Sequence, residues 1–90
     1  MTTRAVRVVA RGSVQGVGFR WSCAQEAGVH GVGGWVTNRG DGSVEAWFEG
    51  TPTAVDAMIA WCRVGPRWAD VTDVSVAEWV PEGRRSFSIR

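Results

Sequence analysis

The sequence of 90 residues has no leucine and no lysine, and it has only two cysteines and one histidine. In place of leucine, the apolar residues are mostly valine (15), alanine (10) and tryptophan (6). Such a valine-rich chain favours β-sheet, because β-branched side chains pack well on a pleated surface. Arginine provides all ten basic groups, and nine acidic residues leave a net charge of +1. This near-neutral charge argues against nonspecific nucleic-acid binding, which needs a strong basic excess.

The sequence also lacks the long apolar runs that membrane segments need. No run approaches the ~20 residues of a transmembrane helix. Residues 1–4 lead directly into a strand pattern, without the hydrophobic stretch of a signal peptide. We therefore expect a cytoplasmic protein that does not associate with membranes. Cys23 and Cys62 form no CxxC pair, so we expect no metal site, and a disulfide is not implied in a reducing compartment.

Hydropathy patterns and turn signals predict one α+β domain over residues 1–90. Alternating apolar residues predict strands at residues 5–11, 34–38, 43–49 and 71–79, with a short fifth strand at 86–90. The predicted helices are residues 20–30 and a segment that begins after Thr51, a suitable N-cap, and ends at Gly65. The order βαββαβ is that of the ferredoxin-like sandwich, in which two helices cover one face of an antiparallel sheet of four to five strands.

The loop between the first strand and the first helix carries the first chemical motif. Gly16 and Gly18 allow backbone conformations in which consecutive N–H groups point into one concavity. Arg20 lies at the helix start, where free N–H groups and the positive dipole end also favour anions. The motif is typical of a phosphate-sized site, although a tight connection with Arg20 in solvent fits the composition equally well. Neither the Walker pattern nor the GxGxxG spacing of dinucleotide-binding folds occurs.

Asn38 forms the second motif. It ends the second predicted strand, directly before the turn at residues 39–42. Its side-chain amide both donates and accepts hydrogen bonds, so it could hold a water molecule while it contacts a substrate oxygen. Asparagine also commonly caps hairpin turns. From these residues alone, the turn-capping role is favoured.

The two motifs resemble the two signature segments of the acylphosphatase family. The first segment is GxVQGVGFR at residues 12–20, and the second is GWVTNxxDGxV at residues 34–44. The interval between Arg20 and Asn38 also resembles that of the family. The resemblance extends over the whole chain, through the element order to the C-terminal FxIR.

This resemblance implies a reaction and a role for each motif. Acylphosphatases hydrolyse the carboxyl–phosphate bond of acyl phosphates to a carboxylate and inorganic phosphate. By resemblance, Arg20 binds the phosphoryl oxygens and Asn38 orients the attacking water. The implied phosphate-binding loop consists of Gln15, Gly16, Val17, Gly18, Phe19 and Arg20. The resemblance also implies no metal, no organic cofactor, a small-molecule acyl phosphate as substrate, inorganic phosphate as product and inhibitor, and a monomer.

The residues by themselves leave two other functions to consider. RNA-recognition domains share this element order and stack bases on exposed sheet aromatics. The residues that could build such a platform here are Trp35, Trp47, Trp79, Arg7 and Arg11. The third strand lacks the RNP pattern, and Glu45 and Glu49 would repel phosphate, so no nucleic-acid partner is expected. The other alternative is a related anion-binding domain without turnover, against which the presence of both Arg20 and Asn38 argues.

Several reactive or aromatic side chains are expected to pack rather than to react. Cys23 and Cys62 fall on the predicted helices and are expected to behave as small apolar residues. His30 is expected to cover the edge of the core at the end of the first helix. The tryptophans are expected in the core or at its edge, with Trp47 on the sheet face away from the helices.

Overall fold

The computed structural model describes residues 2–90, in which there are two helices and five strands. The elements are β1 (Arg4–Ser13), α1 (Phe19–His30), β2 (Gly33–Asn38), β3 (Val44–Gly50), α2 (Pro52–Val64), β4 (Asp70–Trp79) and β5 (Phe87–Ile89). Each predicted element is present, and its bounds differ from the prediction by a few residues at most. Local signals, namely alternation in the strands and glycine or proline at the element ends, therefore determine where the elements lie.

The five strands form one sheet in the order β4-β1-β3-β2-β5, and both helices pack on the same face of it. The predicted ferredoxin-like arrangement is confirmed. The prediction of a wholly antiparallel sheet is wrong at β5, which pairs in parallel with β2. The reason is the path of residues 80–86, which lead from β4 at one edge of the sheet to the opposite edge. The chain reverses on the way, so β5 enters beside β2 in the same direction.

The ends of both helices follow from particular residues. Gly18 and Gly31, with φ values of 78° and 69°, flank α1 in the left-handed conformation that glycine adopts easily. At the start of α2, the side chain of Thr51 accepts a hydrogen bond from Ala54 N at 3.2 Å, and Pro52 occupies the first position. Gly18 therefore starts α1 immediately after the glycine-rich loop, and the first turn of the helix lies next to that loop.

The core between the helices and the sheet is built mostly of valine around Phe48 and Met58. Cys23 of α1 and Cys62 of α2 are both buried there, as predicted, and both are free thiols. A hydrogen bond with Cys62 and burial together raise the pKa of the Cys23 thiol. Since only a thiolate is a strong nucleophile, Cys23 is inert at neutral pH.

Two predictions about large side chains are wrong. His30 does not cover the core edge, because it is exposed and its Nε2 lies 3.5 Å from a carboxylate oxygen of Glu26. Trp21 and Trp68 are both largely exposed instead of packing in the core or at its edge. For Trp21 the reason is the helical period, since the buried Phe19 and Cys23 on either side of it belong to the opposite face of α1.

Trp47 lies on the sheet face away from the helices, as predicted. Its register partners are Arg7 on β1 and Trp35 on β2. It is nevertheless only 5% exposed. Trp79 packs beside it with ring centroids 6.1 Å apart, and the indole N–H of Trp47 donates to Glu49 Oε1 at 3.1 Å. Because an enclosed indole cannot stack on a base, the structure removes the centre of the RNA-binding platform considered above.

Glu49 fastens the segment after β4 to the sheet. It is 3% exposed, and its carboxylate accepts hydrogen bonds from the backbone N–H groups of Glu82, Gly83 and Arg84 at 2.6–3.0 Å, in addition to that from Trp47. Burial alone would raise the pKa of this carboxyl. The hydrogen bonds outweigh burial and hold the pKa below its ordinary value of 4.5. Glu49 is therefore a charged anchor for the path that leads to β5.

Replacing Glu49 with glutamine is expected to lower the free energy of unfolding by about 1–3 kcal/mol, because an amide cannot accept from all four donors. Each kcal/mol corresponds to roughly 4–8 °C in Tm for a chain of this size. A carboxyl whose pKa is depressed in the folded state stabilises above its ordinary pKa, and this contribution is lost as the pH falls through the folded-state value. Thermal melts of the wild type should therefore show a loss of stability that starts near pH 4.5, and the loss should be smaller in Glu49→Gln.

The matched control is Glu78→Gln. The Glu78 carboxylate also accepts hydrogen bonds, from Arg4, but it is exposed. Exposed ion pairs contribute little to stability, so this variant should melt close to the wild type at neutral pH. Equal decreases in Tm for the two variants would show that Glu49 is not a special anchor.

Candidate active site

The segment between β1 and α1 leaves backbone N–H groups free at the start of α1. Gly16 and Gly18 have left-handed φ values of 74° and 78°. Gly18 is the N-cap of α1, yet it offers no capping side chain, and the first intrahelical bond runs from Ser22 N to Gly18 O at 3.0 Å. The N–H groups of the first turn therefore have no partner within the helix, and the positive end of the helix dipole is not capped by a side chain.

Arg20 lies in this first turn and is half-buried. Its Nη1 donates to the carbonyl oxygen of Arg90 at 3.0 Å. The backbone N–H of Arg90 in turn donates to Val36 O at 2.8 Å, which ties this contact to β2. Within residues 2–90, no side-chain oxygen of an aspartate or glutamate lies within ion-pair distance of Arg20. The guanidinium is thus held in place while its charge stays available for an anionic ligand.

Asn38 is the last residue of β2 and is exposed. The turn beside it is closed by other groups, since Arg39 N donates to Ser43 O at 2.8 Å and the Asp41 carboxylate accepts from Ser43 N at 3.0 Å and from its hydroxyl. These hydrogen bonds from Ser43 hold the pKa of Asp41 below its usual range. The side chain of Asn38 has no hydrogen-bond partner among the residues that the structure describes. Its amide is therefore available to a ligand.

Arg20 and Asn38 line the same cavity, whose volume is about 240 Å³. The residues that line it are Val14, Gly16, Gly18, Phe19, Arg20, Trp21, Asn38 and Ile89. The β1–α1 loop, the first turn of α1, the end of β2 and the end of β5 all contribute to it. The structure thus brings together both predicted catalytic residues, Arg20 and Asn38, and three further residues of the predicted phosphate-binding loop, Gly16, Gly18 and Phe19.

Two residues of the predicted loop, Gln15 and Val17, do not line this cavity. The Gln15 side chain donates to Arg39 O at 2.7 Å and to Ser43 O at 2.9 Å, so it joins the loop to the β2–β3 turn. Val17 packs against the core. Both side chains fix the loop's position, and Gln15 also fixes the distance between the loop and the turn that follows Asn38.

Sequence reasoning missed three residues of the cavity wall, namely Val14, Trp21 and Ile89. Val14 is fully buried, and Ile89 lies on a short strand whose partner the sequence did not reveal. Neither carries a polar group that would mark it as part of a site. Trp21 had one usable signal, because a large apolar residue directly follows Arg20 at the start of a helix.

The cavity combines an uncapped helix start, an arginine without an aspartate or glutamate partner and a free amide, which together suit a phosphate group. None of the described residues that line it has a carboxylate, an imidazole or a thiol. Among residues 2–90, no three histidine, cysteine, aspartate or glutamate side chains are grouped so that they could hold a metal ion. In the same part of the chain, neither helix has the length and apolar character needed to cross a membrane.

The comparison with known proteins points to one family. The family model described as Acylphosphatase matches residues 6–89. The acylphosphatase of Nocardioides sp. is 49% identical over 86 residues, which cover 96% of this chain and 87% of that protein. The acylphosphatase of Thermococcus kodakarensis is 53% identical over 78 residues, which cover 87% of this chain and 86% of that protein.

A solved structure agrees with these matches. The crystal structure of acylphosphatase from Bacillus subtilis superimposes on this fold with a TM-score of 0.93 at 40% sequence identity. The superposition covers 97% of this chain and 98% of that one. Since the family model includes both motifs and nearly all of the chain, the chain belongs to the acylphosphatase family.

Proposed function

We propose that the β1–α1 loop and Arg20 hold the phosphoryl group of the substrate while Asn38 orients the attacking water. The reaction is that of the acylphosphatase family, namely hydrolysis of the carboxyl–phosphate bond of an acyl phosphate to a carboxylate and inorganic phosphate. One observation supports these roles most strongly. Asn38, at the end of β2, lines one cavity together with Arg20 and the uncapped start of α1, which come from a separate part of the sequence.

The phosphoryl group is proposed to bind at the start of α1. There it would accept hydrogen bonds from the free N–H groups of the first turn and from the guanidinium fork of Arg20. The binding loop comprises residues 15–20. Within it, Gln15 acts through its two hydrogen bonds to the β2–β3 turn, which hold the loop and Asn38 at a fixed separation.

Asn38 is proposed to place the nucleophile. Its Oδ1 can accept a hydrogen bond from water, while its Nδ2 can donate to a phosphoryl oxygen. The water oxygen attacks phosphorus, the bond between phosphorus and the carboxyl oxygen breaks, and the electron pair leaves with the carboxylate. The proton released by the water passes to the phosphate or to solvent. Because a carboxylate is a good leaving group, positioning and charge stabilisation are sufficient, and no general acid is required.

We further propose that neither a metal ion nor an organic cofactor takes part, and that the enzyme acts as a one-domain cytoplasmic monomer on small-molecule acyl phosphates. The metal-free mechanism is supported by the cavity itself. It already supplies a cation, helix N–H groups and an amide, which are the groups that the reaction needs for binding phosphate and for placing water.

The direct test is the release of inorganic phosphate from benzoyl phosphate in the presence of EDTA. Turnover at an unchanged rate with and without EDTA is the expected result. Activity that EDTA removes and a divalent metal restores would contradict the metal-free mechanism. Binding of phosphate without any turnover would instead identify an anion-binding domain that has lost the reaction.

Inorganic phosphate is expected to inhibit competitively and to raise Tm, because it binds the folded site only. A ligand at a hundredfold excess over its Kd stabilises by about 2.7 kcal/mol. Thermal melts in phosphate should be compared with melts in chloride at equal ionic strength, and in both salts EDTA should leave Tm unchanged. The control variant is Arg20→Ala, which should lose most of the phosphate-dependent rise. A rise of the same size in wild type and variant would place phosphate binding elsewhere on the protein.

A further inference from the structure

Two large apolar side chains are exposed beside the guanidinium of Arg20. Trp21 is 65% exposed and Ile89 is 46% exposed, and both line the cavity that contains Arg20 and Asn38. A single exposed apolar residue is common on protein surfaces. Two of them at the mouth of one cavity, next to a guanidinium without an aspartate or glutamate partner, form an apolar surface that a bound ligand could cover.

Both side chains are held at fixed positions relative to Arg20. Trp21 is the next residue along the first turn of α1. Ile89 pairs with Val36 in the β2–β5 register, and it precedes Arg90, whose carbonyl accepts the hydrogen bond from Arg20. The apolar surface therefore rests on a helix and a strand, and its distance from the phosphate-binding groups is set by the fold.

The cavity is also larger than a phosphoryl group alone would need. Its volume of about 240 Å³ approaches the lower end of the range for small-molecule sites, which is roughly 300 Å³. Of the described residues that line it, only Arg20 is charged. An acyl group that carries a second phosphate or a carboxylate would thus find no second cation there, whereas an apolar acyl group would find Trp21 and Ile89.

We propose that Trp21 and Ile89 form a subsite for the acyl group and favour acyl phosphates with an aromatic or other apolar acyl group. This inference rests on the proposed function, because it assumes that the phosphoryl group lies between Arg20 and the start of α1. With the phosphorus held there, the leaving carboxylate and its substituent extend toward the mouth of the cavity. The indole ring of Trp21 and the side chain of Ile89 then contact the substituent and exclude water from it.

The test compares kcat/KM for benzoyl phosphate with kcat/KM for acetyl phosphate, which differ in the acyl group alone. The ratio of the two values is expected to fall about two- to tenfold in Trp21→Ala, the range that corresponds to the loss of one aromatic contact. Trp21→Phe keeps an aromatic ring and should retain most of the preference. Ile89→Ala should lower the ratio in the same direction.

The matched control is Trp68→Ala. Trp68 is 73% exposed and lies outside the cavity, where the guanidinium of Arg67 stacks on its ring. This variant should keep the wild-type ratio. A ratio that stays constant in both Trp21→Ala and Ile89→Ala would overturn the acyl subsite while leaving the proposed function intact. Failure of the wild-type protein to hydrolyse either substrate would instead overturn the proposed function.

Discussion

Replacing Arg20 with alanine is expected to lower kcat/KM for benzoyl phosphate by roughly 10²–10³-fold, the usual effect of removing a donor that stabilises transition-state charge. The guanidinium is the only charged group among the described residues of the cavity wall, so no neighbour can replace it. The protein should remain folded, because the one hydrogen bond that is lost, from the charged guanidinium of Arg20 to Arg90 O, contributes about 1.5–3 kcal/mol, which is less than the ~5–15 kcal/mol that stabilises a typical native protein. Steady-state kinetics and a melting curve on the same preparation would measure both effects.

Two further variants test whether the effect is specific to the guanidinium of Arg20. Arg20→Lys should also have low activity, because an ammonium group cannot provide the planar fork of donors that binds two phosphate oxygens. Arg63→Ala removes an exposed arginine of α2 that does not line the cavity, and it should retain wild-type kinetics. If folded Arg20→Ala hydrolyses benzoyl phosphate at close to the wild-type rate, the assignment of Arg20 is wrong.

The second large effect is expected for Asn38→Ala, which should lower kcat strongly while the affinity for inorganic phosphate changes little. A residue that holds water against phosphorus contributes more in the transition state than in the bound ground state. The groups proposed to bind phosphate, Arg20 and the start of α1, are unchanged in this variant. Kinetics on benzoyl phosphate and the inhibition constant of phosphate should therefore separate the two contributions.

Asp41→Ala is the control for damage to the turn itself. Its carboxylate accepts two hydrogen bonds from Ser43, so the variant weakens the turn without removing the amide of Asn38. It should lower Tm more than kcat. The opposite assignment would follow if Asn38→Ala kept kcat within a few fold and instead lowered Tm, because Asn38 would then act as a turn cap.

The positions of the helices and strands could be predicted from the sequence because their signals are local. Thr51 starts α2 through its capping side chain and Pro52 through its fixed φ, and the helix ends at Gly65, as the structure shows. The direction of β5 could not be predicted in this way. It depends on the path of residues 80–86. That path is held by Glu49, a residue distant in sequence, whose carboxylate accepts hydrogen bonds from the N–H groups of residues 82–84.

The residues of the candidate site likewise fall into two groups: those that local sequence motifs reveal, and those whose role depends on how distant segments pack together. Arg20 and Asn38 could be proposed from their motifs, because their chemistry and their spacing are visible in the sequence. The use of Gln15 as a brace to the β2–β3 turn depends on where two loops meet, which no local pattern records. The exposure of Trp21 beside the cavity likewise results from how α1 packs on the sheet, and composition alone favoured burial.

The segment that follows β4 is held by hydrogen bonds at both ends, to the structural residue Glu49 at one end and to the proposed catalytic residue Arg20 at the other. At one end, Glu82, Gly83 and Arg84 donate to the carboxylate of Glu49, and at the other end Arg90 accepts from Arg20. Between these points, β5 is hydrogen bonded to β2 along its length. We expect a segment attached in this way to open as one cooperative unit. Such an opening would release the guanidinium of Arg20 from its support, so the hydrogen bonds of Glu49, a structural residue, are expected to contribute to keeping the proposed phosphate site assembled.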